Sequence, residues 1–120
     1  NNPKLITNSS KIQIVIREYS FHDALKKSGL SNSEFNDLLN FNLEVKKNIY
    51  SQQDVNRFMG FSYFFSLGFS AKNFTIFKSM ADRGAGFIEL VKNNIEDEQD
   101  LDIAIENFTS IIGSFISDDL

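Results

Sequence analysis

The side chains that could perform chemistry are few and widely spaced in this sequence. His22 is the single histidine, and Glu18 precedes it by four residues, a spacing that places two side chains on one face of a helix. Such a pair could bind a metal or exchange a proton, but zinc sites use three or four protein ligands and no His-Glu-x-x-His motif is present. A surface or helix-packing role is therefore predicted for His22.

Two further segments contain residue types that occur in ligand sites. Arg83-Gly84-Ala85-Gly86 could hold a phosphate if it joined a strand to a helix, but the helical pattern continues on both sides of it. The acidic residues between Glu96 and Asp102 lack the alternating ligands, central glycine and terminal glutamate of a calcium-binding EF-hand loop. The chain has no cysteine and no Gly-x-Ser-x-Gly motif. The prediction is a protein that is not an enzyme and uses no metal and no cofactor.

Length and charge restrict the class of protein further. A chain of 120 residues with 42% hydrophobic and 23% charged residues suffices for one domain with a buried core. The formal net charge is −4 and the 12 basic residues are scattered, so neither nucleic acid nor an anionic membrane surface is expected as a partner. The longest apolar run, residues 58–71, is shorter than the roughly 20 residues of a membrane-spanning helix.

The compartment is left open by the sequence. The absence of cysteine is compatible with the reducing cytoplasm and with an exported protein that folds without disulfides. The opening residues Asn1-Asn2-Pro3-Lys4 contain neither the basic nor the apolar segment of a signal peptide. The prediction is a soluble protein, either cytoplasmic or exported after removal of a signal segment, whose oligomeric state the sequence does not specify.

Capping signals and hydrophobic periodicity divide the chain into about five helices. Serine caps, including the capping box Ser31-Asn-Ser-Glu34, and one acidic stretch mark the helix starts. Gly29 fits the left-handed residue that ends a helix. Gly84 lies on an apolar stripe, so a close helix crossing is expected there. The predicted helices span residues 21–28, 32–42, 52–68, 71–93 and 97–117, after a flexible N-terminal segment 1–9.

The segment 11–17 fits two periodicities. Ile12, Ile14 and Ile16 alternate as in a strand, whereas Ile12, Val15 and Tyr19 have helical spacing. Helix is favoured because no second strand candidate of similar quality is present to pair with a lone strand. The predicted fold class is therefore all-α. It is a compact irregular bundle of about five helices in a single domain, residues 1–120, with a Phe-rich central helix.

The turn between the first two helices has the spacing of a helix-turn-helix motif. The second helix offers acidic and small polar side chains, with no cation before Lys46, so DNA binding is not expected. Residues 11–42 also resemble LysM-like modules, which bind cell-wall glycan. The resemblance consists of an apolar start, a short helix, the turn Ser28-Gly-Leu-Ser31 and a second helix. Its residue types are common ones and the closing strand of such modules is missing, so no family is assigned.

Phenylalanine is the most unusual part of the composition, with 13 residues. The helix predicted at 52–68 is apolar almost all round, so it is either surrounded by other helices or partly covered by a partner. Burial in the core is favoured, with Tyr63 at the edge nearest to water. The candidate interaction patch is formed by aromatic residues of the cluster Phe58–Phe69: Phe58, Phe61, Tyr63, Phe64, Phe65 and Phe69. The remaining stripe residues are expected in the core: Phe74, Phe77, Phe87, Phe108 and Phe115.

These observations lead to three hypotheses about function. The favoured one is a small non-enzymatic protein-interaction domain, such as an adaptor, an inhibitor or an immunity-like protein. Its acidity suits a basic protein partner, because complementary charge speeds encounter. The first alternative is a carrier of an apolar ligand in a Phe-lined cavity. The second alternative is a structural domain excised from a larger exported or surface protein.

Overall fold

The computed structural model describes residues 3–7 and 13–120, with side chains from residue 17 onward. Its elements in chain order are β1 (Pro3–Thr7), β2 (Gln13–Tyr19), α1 (Phe21–Ser28), α2 (Asn32–Asn40), β3 (Tyr50–Ser51), α3 (Gln52–Ser66), a 3-10 turn (Ala71–Phe74), α4 (Thr75–Lys92) and α5 (Glu98–Asp119). The five α-helices of this described part confirm the predicted all-α class, and α3 is the Phe-rich helix.

The chain divides into two compact units, each of which is described by itself. Unit 1 spans Asn1–Thr75 and contains the three strands, α1, α2, α3 and the 3-10 turn. Unit 2 spans Ile76–Leu120 and contains α5 and all but the first residue of α4. The expectation of a single domain over 1–120 stays a prediction.

The helix favoured for residues 11–17 is wrong, because the described part of that segment belongs to β2. β1 pairs antiparallel with β2 along its whole length, and the end of β2 pairs with β3 through Tyr19 and Tyr50. The missing partner strand lies inside the segment 1–9, for which the sequence predicts flexibility. β1 pairs with residues 13–17 and β3 with residues 18–19, so β2 is not a lone strand, which removes the objection to a strand.

The predicted starts of α1, α2 and α3 are confirmed by capping hydrogen bonds, whereas α2 and α3 each end two residues before the predicted position, at Asn40 and Ser66. The Ser31 hydroxyl accepts a bond from the Glu34 backbone N–H at 3.0 Å, and the Glu34 carboxylate accepts one from the Ser31 N–H at 3.0 Å. Ser51 and Asp54 form the same reciprocal pair at the start of α3. Gly29 ends α1 with φ of 79°, a left-handed conformation that glycine adopts without strain.

The core of unit 1 is mainly aromatic. Phe35 from α2, Tyr50 from β3 and Phe58 from α3 are fully buried and contact one another edge to face or tilted. Farther along α3, Phe61 stacks on Phe74 of the 3-10 turn with ring centroids 5.5 Å apart. Such ring pairs are worth roughly 0.5–1.5 kcal/mol beyond the area they bury. The Phe-rich helix therefore forms the centre of unit 1.

Candidate interaction site

The predicted aromatic patch, which lies on α3 except for Phe69 just beyond its end, is divided by the structure into core and surface. Phe58 and Phe61 are buried, and Phe64 and Phe65 are half-buried against the same core. At the outer edge Tyr63 is 59% exposed and Phe69 is 50% exposed. The larger part of this phenylalanine density therefore stabilises unit 1, and only its edge is accessible to a partner.

A cluster of charged side chains joins the loop 41–49 to α3. Arg57 donates two hydrogen bonds to the buried carboxylate of Glu44, at 2.6 and 2.8 Å, and one to Asp54 at 2.9 Å. Lys47 donates to both oxygens of Asp54 at 3.1 Å. Burial alone would raise the pKa of Asp54, but bonds from the Ser51 backbone N–H, Lys47 and Arg57 lower this pKa to about 2. Each carboxylate has a cationic partner, so the cluster stabilises the loop and offers no free acid or base.

A depression on the surface of unit 1 lies beside α1 and the turn to α2. It has a volume of about 460 Å³ and is open to solvent. Its apolar base includes Phe21, Leu25 and Leu30, and its rim carries polar groups such as His22 and Asn32. A Lys46 ammonium lies 4.8 Å from the centre of the Phe21 ring, so that ring already has a cation–π contact.

The two helices of unit 2 form a hairpin with a close contact at Gly84. A Cβ placed on Gly84 would lie 2.9 Å from the ring of Phe108 on α5, and Phe87 stacks on the same ring with centroids 5.9 Å apart. The close helix crossing predicted at Gly84 is thus confirmed. The half-buried residues of the two helices recur at helical spacing and are called the seam: Gly84, Ile88 and Val91 on α4, and Leu101, Ala104, Phe108 and Ile112 on α5.

Unit 2 leaves much of its apolar surface uncovered. Neither α4 nor α5 contains a buried residue. The exposed large apolar side chains of α4 are Ile76, Phe77, Met80, Phe87 and Leu90. Those of α5 are Ile103, Ile105, Ile111, Phe115 and Ile116. Together these ten side chains are called the hairpin surface. The expectation that Phe77, Phe87 and Phe115 lie in the core is wrong, since Phe115, for example, is 64% exposed.

The hairpin surface extends beyond the seam on each helix. Ile76, Met80 and Phe87 share one face of α4, because their spacings of four and seven residues match the helical period. This face borders the seam, since Phe87 also stacks on Phe108. Aliphatic and aromatic side chains of this size rarely form a large contiguous exposed patch on a monomer unless the patch binds something. A two-helix hairpin with no buried residue also lacks the packing from which helices gain most of their stability.

The two units differ in charge as well as in burial. Unit 2 contains ten acidic and three basic residues, a formal net charge of −7, whereas unit 1 contains six acidic and nine basic residues, a formal net charge of +3. Helix α5 has six acidic residues and no cation. In the described part of the chain none of these six carboxylates has an ion pair, since the pairs of unit 2 lie within α4. The hairpin is therefore apolar and acidic at once.

The other candidates from the sequence are not brought together into a site. Glu18 lies in β2 and His22 on α1, so the shared helix face assumed for this pair does not exist. The segment 83–86 lies inside α4, as predicted. Asp97 caps α5, with its carboxylate accepting a bond from the Gln99 N–H at 3.0 Å. Among the side chains that the structure describes, no group of three or more metal-binding residues is present.

Comparisons with protein families and with curated proteins identify no relative of this chain. No protein-family model matches the chain, and no curated protein matches it either. Across the described helices, none combines the length and the hydropathy that crossing a bilayer requires. The candidate site therefore depends on the geometry and charge of the chain itself.

The hairpin surface is the feature that sequence reasoning missed. The stripes of α4 and α5 are visible in the sequence, but they predict a core because amphipathic stripes usually pack against neighbours. One signal does indicate exposure: on each helix the apolar residues occupy more positions than the single stripe that a neighbouring helix covers. The excess of acidic residues on α5 is a second signal, since it distinguishes that helix from the rest of the chain.

Proposed function

We propose that this chain is a non-enzymatic protein-interaction module that binds its partner through the hairpin surface. The observation that carries the proposal is the complete absence of buried residues from α4 and α5, although both helices are rich in large apolar side chains. Covering such a surface with a partner removes apolar area from water, which favours association by roughly 25 cal/mol per Å² before the entropic costs of binding.

Binding chemistry fits this module better than catalysis. The charged cluster of unit 1 is saturated by its own ion pairs, as described for Glu44, Asp54 and Arg57. The exposed edge of the aromatic patch, formed by Tyr63 on α3 and Phe69 just beyond it, offers a smaller second contact area. The carrier hypothesis gains no support, because the described depression contains a single phenylalanine, Phe21. The hypothesis of an excised structural domain stays a prediction.

Photo-crosslinking in the source cells tests the proposal. A benzoylphenylalanine residue replaces Phe115 on the hairpin surface or, as a matched control, Val45, which is 60% exposed on unit 1. We expect a discrete protein adduct from position 115 and none from position 45. Absence of an adduct at 115 and at a second hairpin position, Ile111, would contradict the proposal, as would adducts of equal intensity at 45 and 115.

A second candidate function is supported by the strand order of unit 1. The resemblance to LysM-like modules lacks a closing strand in the sequence, and in the structure β3 follows α1 and α2 and pairs antiparallel with β2. We therefore propose, as the alternative, that unit 1 binds cell-wall glycan. The depression beside α1 is the candidate place, since it combines an apolar base with the polar groups of His22 and Asn32.

Co-sedimentation with insoluble peptidoglycan tests this alternative. We expect the chain to pellet with the polymer, and His22→Ala to pellet less than Asp37→Asn, an exposed change on α2 outside the depression. Soluble N-acetylglucosamine oligomers should compete. If the chain stays in the supernatant, or if His22→Ala pellets as the wild type does, the glycan site is not in the depression and the alternative fails.

A further inference from the structure

We infer that the partner of the hairpin surface is a basic amphipathic helix, which docks along α4 and α5 to complete a three-helix arrangement. The inference rests on the proposed function and names the chemistry of the partner. It starts from the fact that both apolar faces of this unit belong to helices, so a third helix with an apolar stripe presents side chains at matching spacing.

The carboxylates of α5 indicate that the partner helix is positively charged. On α5, Asp100, Ile111 and Asp118 are separated by 11 and 7 residues and therefore lie on one face. Glu98, Ile105 and Ile116 share another face in the same way. These two rows lie on different sides of α5, so a partner helix on either side would meet carboxylates beside apolar side chains, and no cation on that helix neutralises them. Lysine or arginine residues flanking the apolar stripe of a partner would meet these carboxylates at the rim of the interface.

The same charge argues against a second copy of the chain as the occupant. Two hairpins that met face to face would bring two units of formal charge −7 together. Like charges across an interface are costly at low ionic strength, and the cost decreases with salt as the screening length falls from about 10 Å at 0.1 M to about 3 Å at 1 M. A basic partner has the opposite salt dependence, which makes the two occupants distinguishable.

The experiment uses designed peptides and the full chain. Three 18-residue peptides carry leucine at helical i, i+3, i+4 and i+7 spacing and lysine, glutamine or glutamate at all other positions. A fourth contains the lysine composition in scrambled order. Binding is measured by fluorescence anisotropy at 50 mM and 500 mM salt. We expect the lysine peptide to bind at least about tenfold more tightly than the glutamine peptide at 50 mM salt, and the ratio to fall at 500 mM.

Charge variants of the protein locate the contact. Asp118→Lys reverses a charge in the row of α5 that contains Ile111. Asp37→Lys on α2 is the matched control, since both positions are exposed and lie in the last turn of a helix. We expect Asp118→Lys to weaken binding of the lysine peptide about fivefold and Asp37→Lys to leave it within about twofold, as expected for rim charges.

The possible outcomes separate this inference from the proposed function. Equal binding of the lysine and glutamine peptides overturns the inference and leaves a protein-binding hairpin intact. Equal binding of the lysine peptide and its scrambled form also overturns it, because attraction would then be general and not helical. Salt-promoted dimerisation, seen by light scattering at 500 mM and abolished by Phe115→Asp, overturns it in favour of a second copy. Failure of the crosslinking experiment at positions 111 and 115 overturns the proposed function itself.

Discussion

Units 1 and 2 contain the same kind of helix and use it differently. In unit 1 the apolar stripes of α1, α2 and α3 face one another and the strand β3, and every buried hydrophobic side chain that the structure describes belongs to this unit. In unit 2 two longer helices with equally clear stripes meet along one seam and bury none of their residues completely. An amphipathic pattern therefore indicates which face of a helix is apolar, and the tertiary structure decides whether that face is covered from within the chain.

Phe58→Ala is the strongest test of this difference. Phe58 is fully buried and contacts Phe35 and Tyr50, so its truncation should cost about 3–5 kcal/mol. Truncation of Phe65, which is half-buried, should cost less. Tyrosine fluorescence during urea unfolding measures the change in unit 1, because all three tyrosines of the chain lie there. A loss below about 1 kcal/mol for Phe58→Ala would contradict the assignment of α3 to the core.

The next largest change in stability is expected from the charged cluster, whose contribution to folding depends on pH. The folded pKa of Asp54 is about 2 and its ordinary value is 3.8, so the ionised carboxylate stabilises the folded state. This contribution, about 2 kcal/mol by linkage, is fully present above about pH 4 and is lost as the pH falls toward 2.

Asp54→Asn isolates that contribution. The free energy of unfolding should be lower in the variant than in the wild type by about 2 kcal/mol at pH 7, and the difference should shrink between pH 4 and pH 2. Asp37→Asn is the control, because Asp37 is exposed and forms none of these bonds. A difference between wild type and Asp54→Asn that is constant with pH would show that lost capping alone accounts for it.

Local signals explain how much of the fold can be predicted. The starts of α1, α2 and α3 follow from Ser20, Ser31 and Ser51, whose capping bonds reach only three residues along the chain. Strand β2 is missed because its identity depends on pairing with β1 and β3, and β3 is more than 30 residues distant along the chain. Periodicity over a short apolar segment does not contain that information.

The exposure of the candidate site also depends on tertiary structure that periodicity does not predict. Phe58 and Phe115 both lie on apolar stripes and cannot be distinguished by residue type or by spacing. Only the tertiary arrangement places Phe58 between Phe35 and Tyr50 and leaves Phe115 in solvent. The crossing at Gly84 is predictable because glycine weakens a helix relative to alanine, so its presence on an apolar stripe indicates a neighbour too close for a side chain.

Substitution of two glycines in α4, Gly84 and Gly86, should change stability by a smaller amount and in opposite directions. At Gly84 a methyl group would lie 2.9 Å from Phe108, whereas at Gly86 it would meet no atom within 4 Å. Gly86→Ala should stabilise α4 by up to about 1 kcal/mol through helix propensity. Gly84→Ala should destabilise it by about 1 kcal/mol, because the clash outweighs that gain. Hydrogen exchange of α4 amides measures both; equal protection in the two variants would contradict the close crossing.

The smallest change in stability is expected for truncation of Phe115. The contrast with truncation of a core phenylalanine of unit 1 is therefore largest at this residue. Because the ring is 64% exposed, Phe115→Ser should alter the free energy of unfolding by no more than about 0.5 kcal/mol, although the same truncation of a core phenylalanine costs several. The fluorescence of a hydrophobic dye bound to the protein should nevertheless fall, since the variant removes the most exposed aromatic ring of the hairpin surface. Val45→Ser, on an exposed position of unit 1, is the control and should leave dye binding unchanged. A marked loss of stability in Phe115→Ser, with dye binding as in the wild type, would instead place this ring in a packed interior and remove the main support for a partner at this surface.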